Sequence, residues 1–391
     1  MKKIKSTSNL NLYDEIFELN QEFNLDKRKE KINCGIGVYL DDYGKPYVLP
    51  VIKKVASSLE YDNFNYLPIS GDNLFLRQSS KLVFGESLFN EYENRLVSQG
   101  VIGGTNGLFM WANLMNILYI KPTIIISNPT WENHKKIFNY FKFNIIEYNH
   151  LNKQNLFDYS SFKKTVEKHP NSIVLLHGGP THNPTGVNPS KEQWRKIMNL
   201  MKKNNMYACF DFAYMGLGEG IENDCYAMRL FAENAIKFAL IISYSKNMSL
   251  YQHRTGVLIT SVVDNKEKAT VQSIIKYLFR VVNSNPAAFG EIVARTILEN
   301  DKLKNVWTNS VDLMRSNLDK RRKLFDEYTK HRFHQVVKQK GLFSLLYLNP
   351  NQIKKLKDES GIYLLSNSRI NFGGLSIEKI PTIAKAILSI I

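Results

Sequence analysis

The chain has 391 residues, 43% of them hydrophobic and 12% aromatic, which excludes a disordered chain and leaves room for two domains with a large core. Its net charge of +16, from 52 basic and 36 acidic residues, is scattered; the densest cluster, Lys320-Arg321-Arg322-Lys323, is short and carries no interleaved aromatics, so no nucleic-acid partner is expected and the positive field is read as attracting anionic substrates. No apolar run approaches the ~18 residues of a membrane span. No apolar core follows the basic Met1–Ser6, and Cys34, Cys209 and Cys225 form no CxxC pair, so free thiols and a cytoplasmic location are expected, with no membrane association.

In chain order, Gly103-Gly104-Thr105-Asn106-Gly107 reads as a glycine-rich turn opening a helix over Leu108–Leu118. Short apolar runs at Thr123–Ser127, Ser172–Leu176, Tyr207–Phe210, Phe238–Ser243 and Gly256–Val262 read as strands. Most are nearly continuous rather than alternating, as for strands covered on both faces. Pro189-Ser190 starts a helix over Lys191–Met201. A charged amphipathic stretch from Asn300 to Lys330 reads as a long helix. Strand-like Leu342–Leu348 and Ser368–Phe372 follow, then a helix over Ser376–Ile390. This order predicts an α/β fold: a large domain with a mainly parallel sheet flanked by helices, plus a smaller α+β domain built from both chain ends. The expected boundaries are 1–44 (N-terminal arm and part of the small domain), 45–310 (large domain) and 311–391 (small domain). No internal repeat or low-complexity linker interrupts them.

Ligands of open α/β sheets bind beyond the carboxyl ends of the strands, so the polar residues there matter most. Ser243-Tyr244-Ser245-Lys246 follows the run Phe238–Ile242, with Arg254 eight residues after Lys246. A lysine between hydroxyls and an arginine places an amine nucleophile beside an anion site, the arrangement that holds pyridoxal phosphate. Gly104 and Thr105 at a helix start suit the same anion. Asn183, in Asn-Pro-Thr-Gly, can donate to a ring oxygen. Asp211, with Tyr214 three residues on, can keep a pyridine nitrogen protonated, and Trp131 can stack on a flat ring. Taken alone, Lys246 reads equally well as a solvated strand end, and Asn183, Asp211 and Trp131 read more readily as turn, cap and core. Their joint order along one chain does not.

With these residues in place, the chain resembles the fold-type I pyridoxal-phosphate aminotransferases of the aspartate aminotransferase subgroup, from Ile32-Asn33-Cys34-Gly35-Ile36-Gly37-Val38-Tyr39 to Ser368-Arg369-Ile370-Asn371. The resemblance implies that Lys246 bonds the cofactor and carries the substrate proton. Asp211 pairs with the pyridine nitrogen, and Asn183 and Tyr214 bond the ring's phenolic oxygen. Gly104, Thr105, Ser243, Ser245 and Arg254 hold the phosphate, and Trp131 covers the ring. Tyr66 reaches the phosphate of a neighbouring subunit, implying a homodimer with shared sites. Arg369 grips the substrate α-carboxylate, and Arg280, supplied by the partner, grips the distal carboxylate; Gly37 and Phe343 line the same cleft. Two arginines imply dicarboxylic substrates, in a reversible ping-pong exchange between L-aspartate and 2-oxoglutarate. An aromatic amino acid aminotransferase shares both arginines, and a non-catalytic basic binding protein is the alternative from another class.

Two departures from the family pattern stand out. One extra residue separates His177 from Asn183, which leaves either His177 or His134 to support Asp211. Gly103 stands where many relatives have serine.

Overall fold

The structure, a computed structural model, describes residues 14–59 and 65–391. Residues 1–13 of the expected N-terminal arm lie outside the described residues. The strands are β1 (Ile32–Asn33), β2 (Leu96–Ile102), β3 (Thr123–Asn128), β4 (Asn144–Asn149), β5 (Ile173–His177), β6 (Tyr207–Phe212), β7 (Phe238–Ser243), β8 (Thr255–Ser261), β9 (Phe343–Leu345), β10 (Ile362–Tyr363) and β11 (Arg369–Asn371). Seven form one sheet in the order β2-β8-β7-β6-β5-β3-β4. Only β8 runs against the others, pairing antiparallel with both β2 and β7. The carboxyl ends of β2, β3, β5, β6 and β7 and the start of β8 therefore share one edge.

The five strands read from continuous apolar runs are all present; all six residues of β7 are buried, as both-face coverage requires. β2 and β4 carry weaker patterns. β2 is interrupted by Ser98, Gln99 and Gly100, yet Gln99 is buried and donates from Nε2 to the Ile69 carbonyl at 2.6 Å. β4 is an edge strand with only Tyr148 buried. The Gly103–Gly107 segment is not a separate turn: the helix runs Gly103–Leu118. A Cβ on Gly107 would lie 2.8 Å from Ile241 Cγ2, so the missing side chain lets this helix sit hard against β7.

Ser190 and Gln193 form a reciprocal capping box at the helix Lys191–Lys203, which fixes its start at the predicted residue. The long helix Asp301–Tyr328 is capped by Asn300, and Trp307 Nε1 donates to the Asn247 carbonyl at 2.7 Å, next to Lys246. The same helix clamps the C-terminal segment. Arg321 donates to the carbonyls of Phe372, Gly373 and Leu40, and Arg322 to those of Gly341 and Phe343. Both arginines are buried, so the densest basic cluster of the sequence is half interior. β9 pairs with β11 and β1 with β10. At the C-terminus a short 3₁₀ turn, Ile377–Lys379, precedes the helix Ile380–Leu388. No helix among the described residues is long and apolar enough to cross a membrane.

One interior carboxyl lies outside these patterns. Glu291 is 2% exposed and accepts the Asp72 N–H at 2.7 Å, packed against Gly71 and Gly100. The neighbouring Arg295 is taken by the Asp72 carboxylate at 2.6 Å. Burial pushes the Glu291 carboxyl up to about 8 from 4.5. The folded chain keeps this proton where the unfolded chain loses it, so this group costs stability progressively as pH rises from about 4.5 to 8. Glu291→Gln is expected to remove that loss, gaining on the order of 2–4 kcal/mol at pH 8 and much less at pH 5. Urea unfolding at both pH values measures it, and an equal pH dependence in both proteins would refute it.

Candidate active site

The shared edge of the sheet brings Gly104, Thr105, Trp131, Asn183, Asp211, Tyr214, Ser243, Ser245, Lys246 and Arg254 around one pocket. Asp211 stands near the end of β6, opposite His177 on β5. It is 8% exposed, and His134 Nε2 lies 3.1 Å from its Oδ2. Burial alone would raise this carboxyl. The His134 hydrogen bond and the positive charges nearby outweigh burial and hold it below its ordinary value, so it stays an anion. The structure gives the support of Asp211 to His134. Thr130 Oγ1 bonds His134 Nδ1 at 2.8 Å, and His177 Nε2 lies farther away, 3.4 Å from that hydroxyl. The indole of Trp131 meets His134 edge-on, with centroids 5.2 Å apart.

Lys246 projects from the turn after β7, its Nζ 4.9 Å from the centre of the Tyr214 ring. Burial pushes its ammonium down to about 8; Asp211 opposes this, while Arg254 and Arg369 add to it. Ser243 Oγ and Ser245 Oγ are 3.2 Å apart, and Arg254 Nη1 donates to Ser245 Oγ and to the Tyr251 carbonyl, both at 3.3 Å. Among the described residues no carboxylate pairs with Arg254. These groups meet the first turn of the Gly103–Leu118 helix, whose N–H groups and dipole favour an anion. Gly103 has φ +74, and a Cβ there would lie 2.5 Å from Arg254 Nη2. A serine at this position would strain the backbone and displace the guanidinium.

Asn183 bridges two partners. Its Nδ2 donates to the Tyr214 hydroxyl at 3.4 Å, and its Oδ1 accepts from Arg369 Nη1 at 3.2 Å. Arg369 also donates from Nη2 to the Gly35 carbonyl at 2.8 Å and lies over the Phe343 ring, 4.2 Å from its centre. Its Nε is buried with no partner among the described residues. Burial lowers the Arg369 pKa and raises that of Tyr214. Gly37 opens toward the same place: a Cβ there would meet only Phe343 Cζ, at 3.8 Å.

Tyr66 and Arg280 do not join this pocket within one chain. Tyr66 is 84% exposed. Arg280 stands in the last turn of the helix Asn265–Val282 and donates to Ser284 Oγ and Asn285 Oδ1. Asn285 Nδ2 in turn donates to the Leu67 carbonyl at 2.9 Å, so the exposed segments that carry the two residues are tied together.

Sequence reasoning missed the depth of the histidine cluster. His182 joins Ser127 Oγ at 2.9 Å and Thr185 Oγ1 at 2.8 Å, and its ring stacks on His150 at 3.5 Å. His177 lies 4.2 Å from His182. Burial pushes His177 down to about 3 and His150 to about 4, so both are neutral. His182 precedes Asn183 in the turn motif, a signal that was available; His150 follows the unread strand β4 and carried none.

A parallel-sheet edge with an anion cradle, a buried lysine of lowered pKa and a buried carboxylate defines an enzyme that holds a phosphorylated, electron-accepting ring. Residues 29–387 match the family model described as aminotransferase class I and II. The mitochondrial aspartate aminotransferase of Schizosaccharomyces pombe is 36% identical over 96% of this chain and 88% of its own length. The aspartate aminotransferase of Escherichia coli is 32% identical over 97% of this chain and 98% of its own. Among solved structures, an aromatic-amino-acid aminotransferase from Burkholderia pseudomallei, covalently bound to pyridoxal phosphate, aligns with a TM-score of 0.93 at 31% identity, covering 99% of each chain. The cytoplasmic aspartate aminotransferase of Saccharomyces cerevisiae aligns at 0.92 and 30% identity over 97% of each. The chain belongs to the class I and II aminotransferases, a pyridoxal-phosphate-dependent family of transaminases.

The lowered Lys246 pKa can be read directly. In protein freed of cofactor, the rate of Lys246 acylation by a neutral reagent, followed by mass spectrometry, is expected to reach half its maximum near pH 8. A midpoint near the ordinary 10.5 would mean the pocket does not disfavour the ammonium.

Proposed function

We propose that the chain is an aspartate aminotransferase, exchanging the amino group of L-aspartate with 2-oxoglutarate to give oxaloacetate and L-glutamate. The observation that carries this reading is the pair of arginines: Arg369, buried beside Asn183 with an unpaired Nε, and Arg280, exposed on a segment tied to the one that bears Tyr66. Arg369 takes the α-carboxylate, where a planar guanidinium suits a carboxylate better than ammonium does. Arg280, from a second copy of the chain, takes the distal carboxylate. The relatives named aspartate aminotransferase support this choice. An aromatic amino acid aminotransferase is the second reading, favoured by the structural likeness to the Burkholderia protein.

The pocket fits pyridoxal phosphate. Arg254, Ser243, Ser245, Gly104 and Thr105 would hold its phosphate, Lys246 would anchor it, Asp211 would pair with its ring nitrogen, Asn183 and Tyr214 would bond its phenolic oxygen, and Trp131 would stack on its ring. When bound, the cofactor supplies an electron sink that lets the substrate α-carbon lose its proton. Lys246, as a neutral amine, would take that proton at its Nζ. Its lowered pKa keeps a useful fraction neutral near pH 8. Asp211 remains an anion because His134 bonds it, which is what holding a pyridine nitrogen protonated requires. Residues 45–310 act as the large domain, and part of 14–44 joins 311–391 in the small one, whose closure would align the α C–H bond and exclude water.

Two copies share their sites in this reading. The exposed Tyr277, Val281 and Val282 lie on the helix that carries Arg280 and supply apolar area for a homodimer contact. Random hybrids of Lys246→Ala and Arg280→Leu chains then regain one intact site in half of all dimers. About a quarter of wild-type activity is expected on mixing two nearly inactive proteins. No recovery, with exchange confirmed by native mass spectrometry, would refute sharing.

Aspartate alone is expected to shift the near-visible absorbance band of the purified protein to shorter wavelength, and 2-oxoglutarate to restore it. Arg280→Leu is expected to cost aspartate at least about 100-fold in kcat/KM and phenylalanine far less. Equal losses on both substrates would sink the distal-carboxylate role.

A further inference from the structure

We propose that Asp326, His331 and His334 form a binding site for a divalent transition-metal ion, zinc by its ligand chemistry, away from the active site. Asp326 lies in the last turns of the helix Asp301–Tyr328. His331 Nδ1 is 2.9 Å and His334 Nδ1 3.0 Å from the same oxygen, Asp326 Oδ2. All three ligand atoms fall within 4.8 Å of one another. Donors about 2.0–2.2 Å from a tetrahedral zinc ion stand roughly 3.3 Å apart, so slight spreading of the two imidazoles would admit the ion. Two imidazoles and a carboxylate are a donor set that zinc accepts, with a further position left for water.

A second observation points the same way. Asp326 is 3% exposed, and its other oxygen, Oδ1, is buried with no hydrogen-bond partner among the described residues. Among the described residues the hydrogen bonds to this carboxylate's oxygens come only from the two imidazoles, at Oδ2, and a cation held there offsets the cost of burying its charge. The two histidines stand on the open side of this carboxylate, their side chains 69% and 65% exposed, so an ion reaches the site from solvent. The exposed carbonyl end of the helix adds negative potential.

The backbone holds the three residues in place. The Thr329 hydroxyl bonds the carbonyls of Phe325 and Asp326, and the His331 N–H bonds the Asp326 carbonyl. Lys330 and His331, at φ 52 and 60, turn the chain back over the helix end. His334 begins a short 3₁₀ helix that leads to Lys340, whose N–H donates to the Gly186 carbonyl, and then to Phe343 under Arg369. A bound ion would pin the segment between the long helix and the substrate cleft.

The test is calorimetric titration of the protein as purified, stripped with EDTA and desalted, with zinc chloride. One zinc per chain is expected for the wild type. His331→Gln and His334→Gln are each expected to weaken it by more than about 100-fold, since even partners of metal ligands are worth 10–100-fold. The variants should keep the wild-type circular dichroism, and the Tm of each without metal serves as its own reference. Zinc should raise the Tm of the wild type alone. No zinc uptake by the wild type, or uptake that both variants retain, overturns the site.

Discussion

A carboxylate at the end of a sheet buried on both faces has two ways to persist: protonated, or paired. Asp211 is paired. The His134 hydrogen bond overcomes the burial that would neutralise it, and much of the surrounding arrangement follows from that contact. His134 needs its other nitrogen occupied, so Thr130 turns inward to bond it. Trp131 then packs edge-on against the same imidazole. One contact thus sets the charge of Asp211 and the placement of the aromatic ring beside the pocket.

The rest of the pocket depends on close approach. The helix Gly103–Leu118 reaches β7 because Gly107 has no side chain, and its first turn meets Arg254 because Gly103 has none. The departure from serine at Gly103 therefore trades a hydroxyl for room around a guanidinium. Arg321 and Arg322 do comparable work at longer range. Their bonds to backbone carbonyls fix the segment that carries Phe343 against the helix leaving the large sheet. Charge that reads as surface in the sequence is spent on interior backbone groups, which in a dry environment need such partners.

Pattern alone carried a large part of this description. Strands buried on both faces announce themselves by unbroken apolar runs, and β3, β5, β6, β7 and β8 were legible for that reason. The residues at their ends could be marked as site groups because a parallel sheet collects such ends at one edge. β2 and β4 were not legible. One hides a buried glutamine and a glycine pressed against Glu291; the other is an exposed edge. In both cases the neighbours that stabilise the strand lie far away in sequence.

By itself the sequence determined the fold class and the lysine and aspartate at successive strand ends, because these rest on local order and periodicity, and the resemblance carried by its motifs implied the family and its cofactor. Tertiary structure decided which histidine supports Asp211, since an extra residue after His177 leaves local spacing ambiguous while the contact of His134 with Asp211 Oδ2 and its bond to Thr130 do not. It also decided that His150 stacks on His182, that Arg321 and Arg322 are interior, and that the exposed segments carrying Arg280 and Tyr66 are tied together. Each of these depends on distances between residues remote in the chain, which close packing sets and no local pattern encodes.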